Sequence, residues 1–274
     1  MFGMMFGDVG QGLLLVIGGL LLYRLKHMPL AGAISFAGIF SVIFGFLYGS
    51  FFGFEDLPWL PTLWLNPMQN VMTVLIVSVA FGAGLILVAM ILNITNGTLR
   101  HDIHRIFFHA SGVAGFIFYG YALYLIARIF TGNPMPSAIY LAILLGVPLL
   151  FIFFQEPLTR FIKKEKEIFS DNNIFMFFLE GIVELFEVLL SYITNTISFV
   201  RVGAFALSHV GMMGVVLSLA HVEEGNPNIL ILVIGNLVVI ALEGLVVGIQ
   251  VLRLEYYEMF SRFYLGTGKE FKPY

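Results

Sequence analysis

Long apolar stretches separated by short polar segments run along the whole chain and predict membrane-spanning helices. Seven stretches follow this pattern, with predicted bounds 11–23, 30–52, 70–93, 106–130, 138–154, 174–222 and 229–264. A bilayer core of about 30 Å needs only about 20 helical residues. We therefore expect the last two helices to be long and tilted, with 174–222 either entering along the membrane surface or broken.

Composition agrees with this pattern, since 59% of the residues are hydrophobic and 11% are charged. Such a chain is too apolar for a soluble domain, so we predict an all-α polytopic membrane protein with one transmembrane domain over 1–274. The net charge of −3 gives no indication of nucleic acid, and the absence of cysteine excludes disulfides. No nucleotide-binding, HExxH or serine-nucleophile motif is present, so we expect neither ATP hydrolysis by this chain alone nor a cofactor.

Basic residues concentrate in every second segment between the apolar stretches. Basic segments occur at 24–27, 100–105, 160–166 and 253–272, and acidic or neutral ones at 54–66, 131–137 and 222–228. Arg128 is the exception to this alternation, because it is a single cation at the outer end of the fourth predicted span. Because cytoplasmic loops are enriched in Lys and Arg, seven spans predict an external N-terminus and a cytoplasmic C-terminus. His101 and His104 lie in such a basic segment, and we interpret them as interfacial residues rather than metal ligands.

Arg201 lies near the middle of the apolar stretch 190–220. A cation at that depth costs about 2.5–3.5 kcal/mol on insertion scales unless a partner or water compensates it. No carboxylate lies within one helical turn of Arg201, and Glu187 is the nearest acid on the same helix. The compensating group therefore has to come from another helix, another subunit or a water-filled crevice.

Polar residues form one stripe on each of the last two helices, and each stripe falls within an arc of about 100°. The first consists of Glu180, Glu184, Glu187, Ser191, Thr194, Ser198, Arg201 and His209, and the second of Asn236, Glu243, Gln250, Arg253 and Tyr257. Lipid tolerates such rows where they face a bundle interior, a partner or water. We expect the helices of 174–264 to line an ion path, although polar residues can also simply join helices, and Arg253 can anchor one at the interface.

Three motifs resemble the membrane domain of the a/I-type stator subunit of V-type and A-type rotary ATPases. They are FGMMFGDVGQG at 2–12, NTISFVRVGAFALSH at 195–209, and the segment from Leu242 to Tyr274, which begins LEGLVVGIQVLRLEYYEMFSRFY. They occur in the family's order over nearly the whole chain. The sequence VRVGAFALSH resembles that of the family's bacterial and archaeal members, which implies a plasma membrane location.

This resemblance implies roles for individual residues. Arg201 matches the arginine that faces a ring of proteolipid subunits and separates two ion half-channels, and Arg253 matches a second arginine. Glu243 and His209 match positions linked to the half-channels. The polar stripes add Glu187, Ser191, Ser198 and Gln250 as expected channel-lining residues. The implied partners are the proteolipid ring, the peripheral stalk with other rotary ATPase subunits, and lipid.

The chain also departs from the family pattern. Gln11 stands where the first motif often has His, Phe199 where Tyr is common, and Gly203 where a bulky residue is common. Family members carry a large cytoplasmic N-terminal domain and a further first span, so we expect this chain to match their C-terminal part.

The sequence is also compatible with two other functions. A stand-alone secondary transporter or channel would pair Arg201 permanently with Glu243 or Glu187. A structural scaffold would use its polar stripes only to hold helices together. The sequence favours the stator subunit, which would carry either H⁺ or Na⁺.

Overall fold

The computed structural model describes residues 1–55, 57–58, 60–100, 104–155, 157–158, 174–222, 227–264 and 266. The helices are α1 Phe2–Met5, α2 Val9–Lys26, α3 Pro29–Tyr48, α4 Val71–Arg100, α5 Val113–Phe130, α6 Ala138–Leu141, α7 Val147–Phe153, α8 Ile174–Ser198, α9 Val200–Leu219, α10 Ile229–Leu254 and α11 Ser261–Phe263. π-Helical turns occur at His104–Phe108, Ala142–Gly146 and Glu255–Phe260. No β-strand forms within these ranges, which confirms the all-α class.

Six of the described helical segments are long and apolar enough to cross a membrane. They are Val9–Lys26, Pro29–Tyr48, Val71–Arg100, Ile106–Phe130, Met176–Leu219 and Ile229–Phe263. The remaining predicted span is present as the apolar helical segment Ala138–Phe153, which is shorter than the other six. The prediction of a polytopic membrane protein is therefore confirmed.

The two helical segments predicted to be unusually long are the longest in the described chain. Met176–Leu219 comprises 44 residues and Ile229–Phe263 comprises 35. Within the first, only Phe199 separates α8 from α9, and its φ of −75° and ψ of −12° stay close to helical values. The predicted basic segment 160–166 lies outside the described residues, as do His101, the side chain of His104, and parts of the segments 222–228 and 253–272.

The chain packs as two compact units. Unit 1 consists of Met1–Phe81 and Ser198–Leu254, and unit 2 of Gly82–Ile197 and Glu255–Tyr274. The candidate residues fall in both units.

In unit 1, α2 and α3 form a hairpin whose backbones approach closely at small residues. A Cβ on Gly19 would lie 2.7 Å from the backbone nitrogen of Ser35, and one on Gly38 would lie 2.9 Å from the carbonyl oxygen of Gly12. Helices in lipid pack through such small residues because no hydrophobic force drives them together. The helix α3 ends at Tyr48, four residues before the predicted bound, because Gly49 adopts the left-handed conformation (φ 73°).

We expect Gly19→Val to weaken this hairpin while Gly18→Val does not. A side chain at Gly19 meets the backbone of α3, which cannot move aside, whereas nothing lies within 4 Å of a Cβ on Gly18. Overpacking costs about 1–3 kcal/mol. The measurement is thermal unfolding of the two purified variants in detergent. Equal melting temperatures would contradict the close approach at Gly19.

Unit 2 is joined by hydrogen bonds that tie α8 to the residues around α5. The Tyr192 hydroxyl donates to the Ala110 carbonyl oxygen. The hydroxyls of Tyr119 and Thr196 lie 2.9 Å apart, and the rings of Tyr119 and Tyr192 pack with centroids 5.5 Å apart. Asn93 of α4 donates to the Ser111 carbonyl oxygen over 3.0 Å. These bonds satisfy polar groups that lipid could not.

Candidate functional site

A buried pair of titratable side chains joins α9 and α10 in unit 1. His209 Nδ1 lies 2.6 Å from Glu243 Oε2, and the two residues are 1% and 3% exposed. The ring of Phe6 covers the imidazole, with centroids 4.8 Å apart. His209 Nε2 and Glu243 Oε1 are also buried and make no hydrogen bond to another described residue. An adjoining imidazole and carboxyl, each with an unused atom, can pass a proton between them.

The carboxylate of Asp8 caps the N-terminus of α2 in the same unit. Asp8 is the N-cap of α2 and accepts from the Gln11 amide at 2.8 Å, as is usual for an N-cap Asp. It also accepts from the Ser50 hydroxyl and from the amides of Phe52 and Gly53, over 2.8–3.0 Å. Four donors satisfy this buried carboxylate, so we assign it an anchoring role for the loop after α3.

Gln11 brings α2, α9 and α10 together at a second buried point. Its Nε2 donates to Asn236 Oδ1 over 2.9 Å and to the sulfur of Met213 over 3.1 Å. Asn236 in turn donates from Nδ2 to the Leu232 carbonyl oxygen. The sequence placed Asn236 and Glu243 in one stripe, and both are buried.

Arg201 is half-buried in the first turn of α9, between two buried residues that fix this turn. Phe199 is fully buried, and Gly203 faces α4, where an added Cβ would lie 2.8 Å from the Ser78 hydroxyl oxygen. The absence of a bulky residue at Gly203 therefore permits α4 to pack directly against the arginine-bearing turn. Ser198 is likewise half-buried.

The stripe of the last helix changes from buried to exposed along its length. Asn236 and Glu243 are buried, Gln250 is half-buried, and Arg253 is exposed. Gln250 Oε1 is shielded from solvent and makes no hydrogen bond within the described part of the chain. The structure therefore brings together His209 and Glu243, while Gln250 and Arg253 lie further along the same helix.

A polar cavity of about 320 Å³ occupies unit 2 and includes two of the predicted channel-lining residues, Glu187 and Ser191. Both are exposed side chains of α8. On the same wall, Glu184 accepts a hydrogen bond from the Gln155 amide. Since liquid water takes about 30 Å³ per molecule, the cavity has room for several waters beside these carboxylates.

Sequence reasoning missed some residues of both sites. Arg262 lines the unit 2 cavity with its guanidinium 5.6 Å from the Tyr192 ring centroid. The sequence marks Gln11 only as a departure from a motif, and it carries no local signal for the contact with Asn236 because 225 positions separate the two residues. The carbonyl oxygen of Phe6 accepts from Ser41 of α3, a contact that was also not foreseen.

Comparison with known proteins adds a family context. No family model matches the chain. It is 43% identical over 122 residues to A-type ATP synthase subunit I of Saccharolobus solfataricus, covering 41% of this chain and 17% of that protein. It is 28% identical over 317 residues to A-type ATP synthase subunit I of Aeropyrum pernix, covering 99% of this chain and 45% of that protein.

A bacterial relative shows the same kind of similarity. The chain is 25% identical over 256 residues to V-type ATP synthase subunit I of Borreliella burgdorferi, covering 87% of this chain and 40% of that protein. The chain spans less than half the length of the curated relatives that it matches.

Proposed function

We propose that this chain, which belongs to the subunit I family of A-type and V-type ATP synthases, forms the stationary ion path of a rotary ATPase membrane sector. The observation that carries the proposal is the buried His209–Glu243 pair, which joins two membrane-length helical segments. Arg201 precedes His209 by two helical turns on α9. An intramembrane cation near a buried proton-exchanging pair is the chemistry of an ion path.

Arg201 would act on carboxyl groups carried past it by a ring of proteolipid subunits. A carboxyl that faces lipid is favoured in its neutral form because burial penalises the charge. The guanidinium of Arg201 would favour the ionised form, so the carboxyl would release its ion there. The fixed positive charge would also prevent ions from leaking directly past the ring.

Each compact unit supplies one candidate half-channel. In unit 1 the His209–Glu243 pair is the exchanging group, with Gln250 and Arg253 further along α10. In unit 2 the cavity beside Glu187 and Ser191 would hold the water through which ions arrive or leave.

The proposal also specifies partners and location. The chain would be an integral membrane protein of a bacterial or archaeal plasma membrane, with its N-terminus outside and its C-terminus in the cytoplasm. It would meet the proteolipid ring through the Arg201 face and connect to a peripheral stalk and other rotary ATPase subunits. It would conduct H⁺ or Na⁺ and would itself hydrolyse no ATP.

Cysteine cross-linking tests the proposed rotor interface directly, because the chain has no native cysteine. We expect Ser198→Cys and Phe205→Cys, both half-buried near Arg201, to form disulfides with cysteines beside the ring carboxyl in the assembled complex. Leu21→Cys on α2 is 56% exposed and serves as the control for random encounters within the membrane. The measurement is the cross-linked fraction on a non-reducing gel.

The result also separates the proposal from its alternatives. Cross-links at Ser198 and Phe205 that disappear when the ring is removed support the stator function. With a second cysteine introduced on α10 beside Glu243, cross-links from Ser198→Cys or Phe205→Cys to α10 of the same chain instead would indicate a stand-alone transporter with an internal arginine–glutamate pair. Equal labelling at Leu21 would show that the assay does not report a specific interface.

A further inference from the structure

The buried amide of Gln11 has a defined orientation that leaves one atom unused. The Leu232 carbonyl can only accept a hydrogen bond, so Asn236 must turn its Nδ2 towards it and its Oδ1 towards Gln11. Gln11 must then present its Nε2 to Asn236, over 2.9 Å. Gln11 Oε1 is therefore the remaining end of the amide. It is buried, and no described residue donates to it.

This amide lies in a layer next to the His209–Glu243 pair. Asn236 and Glu243 are seven residues apart on α10, which places them on the same face and about 10.5 Å apart along the helix. Met213, which also contacts Gln11, follows His209 by four residues on α9 and therefore shares its face. The two antiparallel helices thus present two consecutive polar layers: Gln11–Asn236–Met213 and His209–Glu243.

Asp8 does not compete with Gln11 for an ion, although it carries a carboxyl group and lies only three residues away. Its two carboxylate oxygens already accept from Gln11 N, Ser50 Oγ, Phe52 N and Gly53 N. These bonds fix the first turn of α2 and with it the position of Gln11. Donors of the loop after α3 therefore occupy the Asp8 carboxylate, whereas the side-chain oxygen Oε1 of Gln11 remains available.

We infer that Gln11 and Asn236 form a second station of the unit 1 ion path, where Gln11 Oε1 binds a hydrated cation or the water that carries it. A neutral amide oxygen suits this task because conduction requires binding weak enough to allow release. The His209–Glu243 pair then exchanges the proton or ion. The layer of Gln11 and Asn236 orders the water around that ion without binding the ion tightly. This inference rests on the proposed ion-path function.

Two substitutions of Gln11 test this station by ATP-driven ion uptake in vesicles that contain the assembled complex. Gln11→Glu keeps the shape but adds a group that traps cations once ionised. We expect near wild-type uptake per complex at low pH and about a tenfold loss at high pH. Gln11→Met removes the oxygen, and we expect about a tenfold loss at every pH. Uptake is followed with a pH-sensitive dye and, separately, with ²²Na⁺.

Ser35→Ala is the matched control, because it removes a partly buried hydrogen bond between α2 and α3 to the Val16 carbonyl without touching either polar layer. We expect it to keep the wild-type pH profile. Wild-type uptake and pH profile in both Gln11 variants would overturn the inference. A loss of assembly with unchanged uptake per complex would also overturn it, since that is a purely structural effect.

Arg201→Ala, measured in the same vesicles, shows whether only the inference about Gln11 fails or the proposed ion-path function fails as well. If Arg201→Ala stops uptake while the Gln11 variants behave as wild type, only the second station is wrong. If Arg201→Ala also transports normally, the ion-path function itself is wrong.

Discussion

Replacing Arg201 by alanine is expected to abolish ion uptake coupled to ATP hydrolysis while the complex still assembles. The expected size of this loss follows from the interaction between the arginine and a ring carboxylate. A guanidinium and a carboxylate 4 Å apart interact by about 4 kcal/mol at an effective dielectric of 20. If that interaction drives ion release from each ring carboxyl, its loss slows the step about a thousandfold. The measurement is the initial rate of uptake divided by the amount of complex.

Arg128→Ala is the matched control for removing an arginine from a membrane helix. Arg128 lies on α5 in unit 2, donates to the Tyr124 hydroxyl over 2.9 Å and stacks on the same ring. We expect Arg128→Ala to retain uptake. Arg201→Lys keeps the charge but loses the planar fork, so intermediate uptake is expected. Uptake near wild-type rates in Arg201→Ala would refute the stator mechanism.

Hydropathy predicted the helices well because membrane crossing imposes length and apolarity on each segment. The start of α10 at Ile229 and the end of α5 at Phe130 agree with the predicted bounds. The bound of α3 was wrong by four residues, since hydropathy does not detect the left-handed Gly49 that ends the helix. The length of an apolar stretch therefore predicts that a helix exists better than it predicts where the helix begins and ends.

The polar stripes predicted which residues share a face but not how deeply each is buried. Glu243 and Arg253 belong to one stripe, yet Glu243 is buried against His209 while Arg253 is exposed. Periodicity is a property of one helix, whereas burial depends on which helices pack against it. The Gln11–Asn236 contact joins distant parts of the chain, so a single sequence carries no local signal for it.

The His209–Glu243 pair gives the second large expected effect. We expect Glu243→Gln to lower ion uptake per complex at least tenfold, because the amide cannot exchange a proton with His209. The substitution also changes the hydrogen bonding of a fully buried polar pair, which can destabilise the fold. Assembly therefore has to be measured beside uptake, by quantifying the complex in the same vesicles.

Glu55→Gln makes the same chemical change elsewhere in unit 1, where the carboxylate accepts from Asn66 over 2.8 Å in a loop, and we expect it to retain uptake. The decisive comparison combines Glu243→Gln with His209→Gln. If the two residues act as one exchanging unit, the double variant should be little slower than either single variant, since each already interrupts the same step. Fully additive losses would mean that the two residues contribute independently, and the 2.6 Å contact would then be a packing feature rather than a proton-exchanging pair.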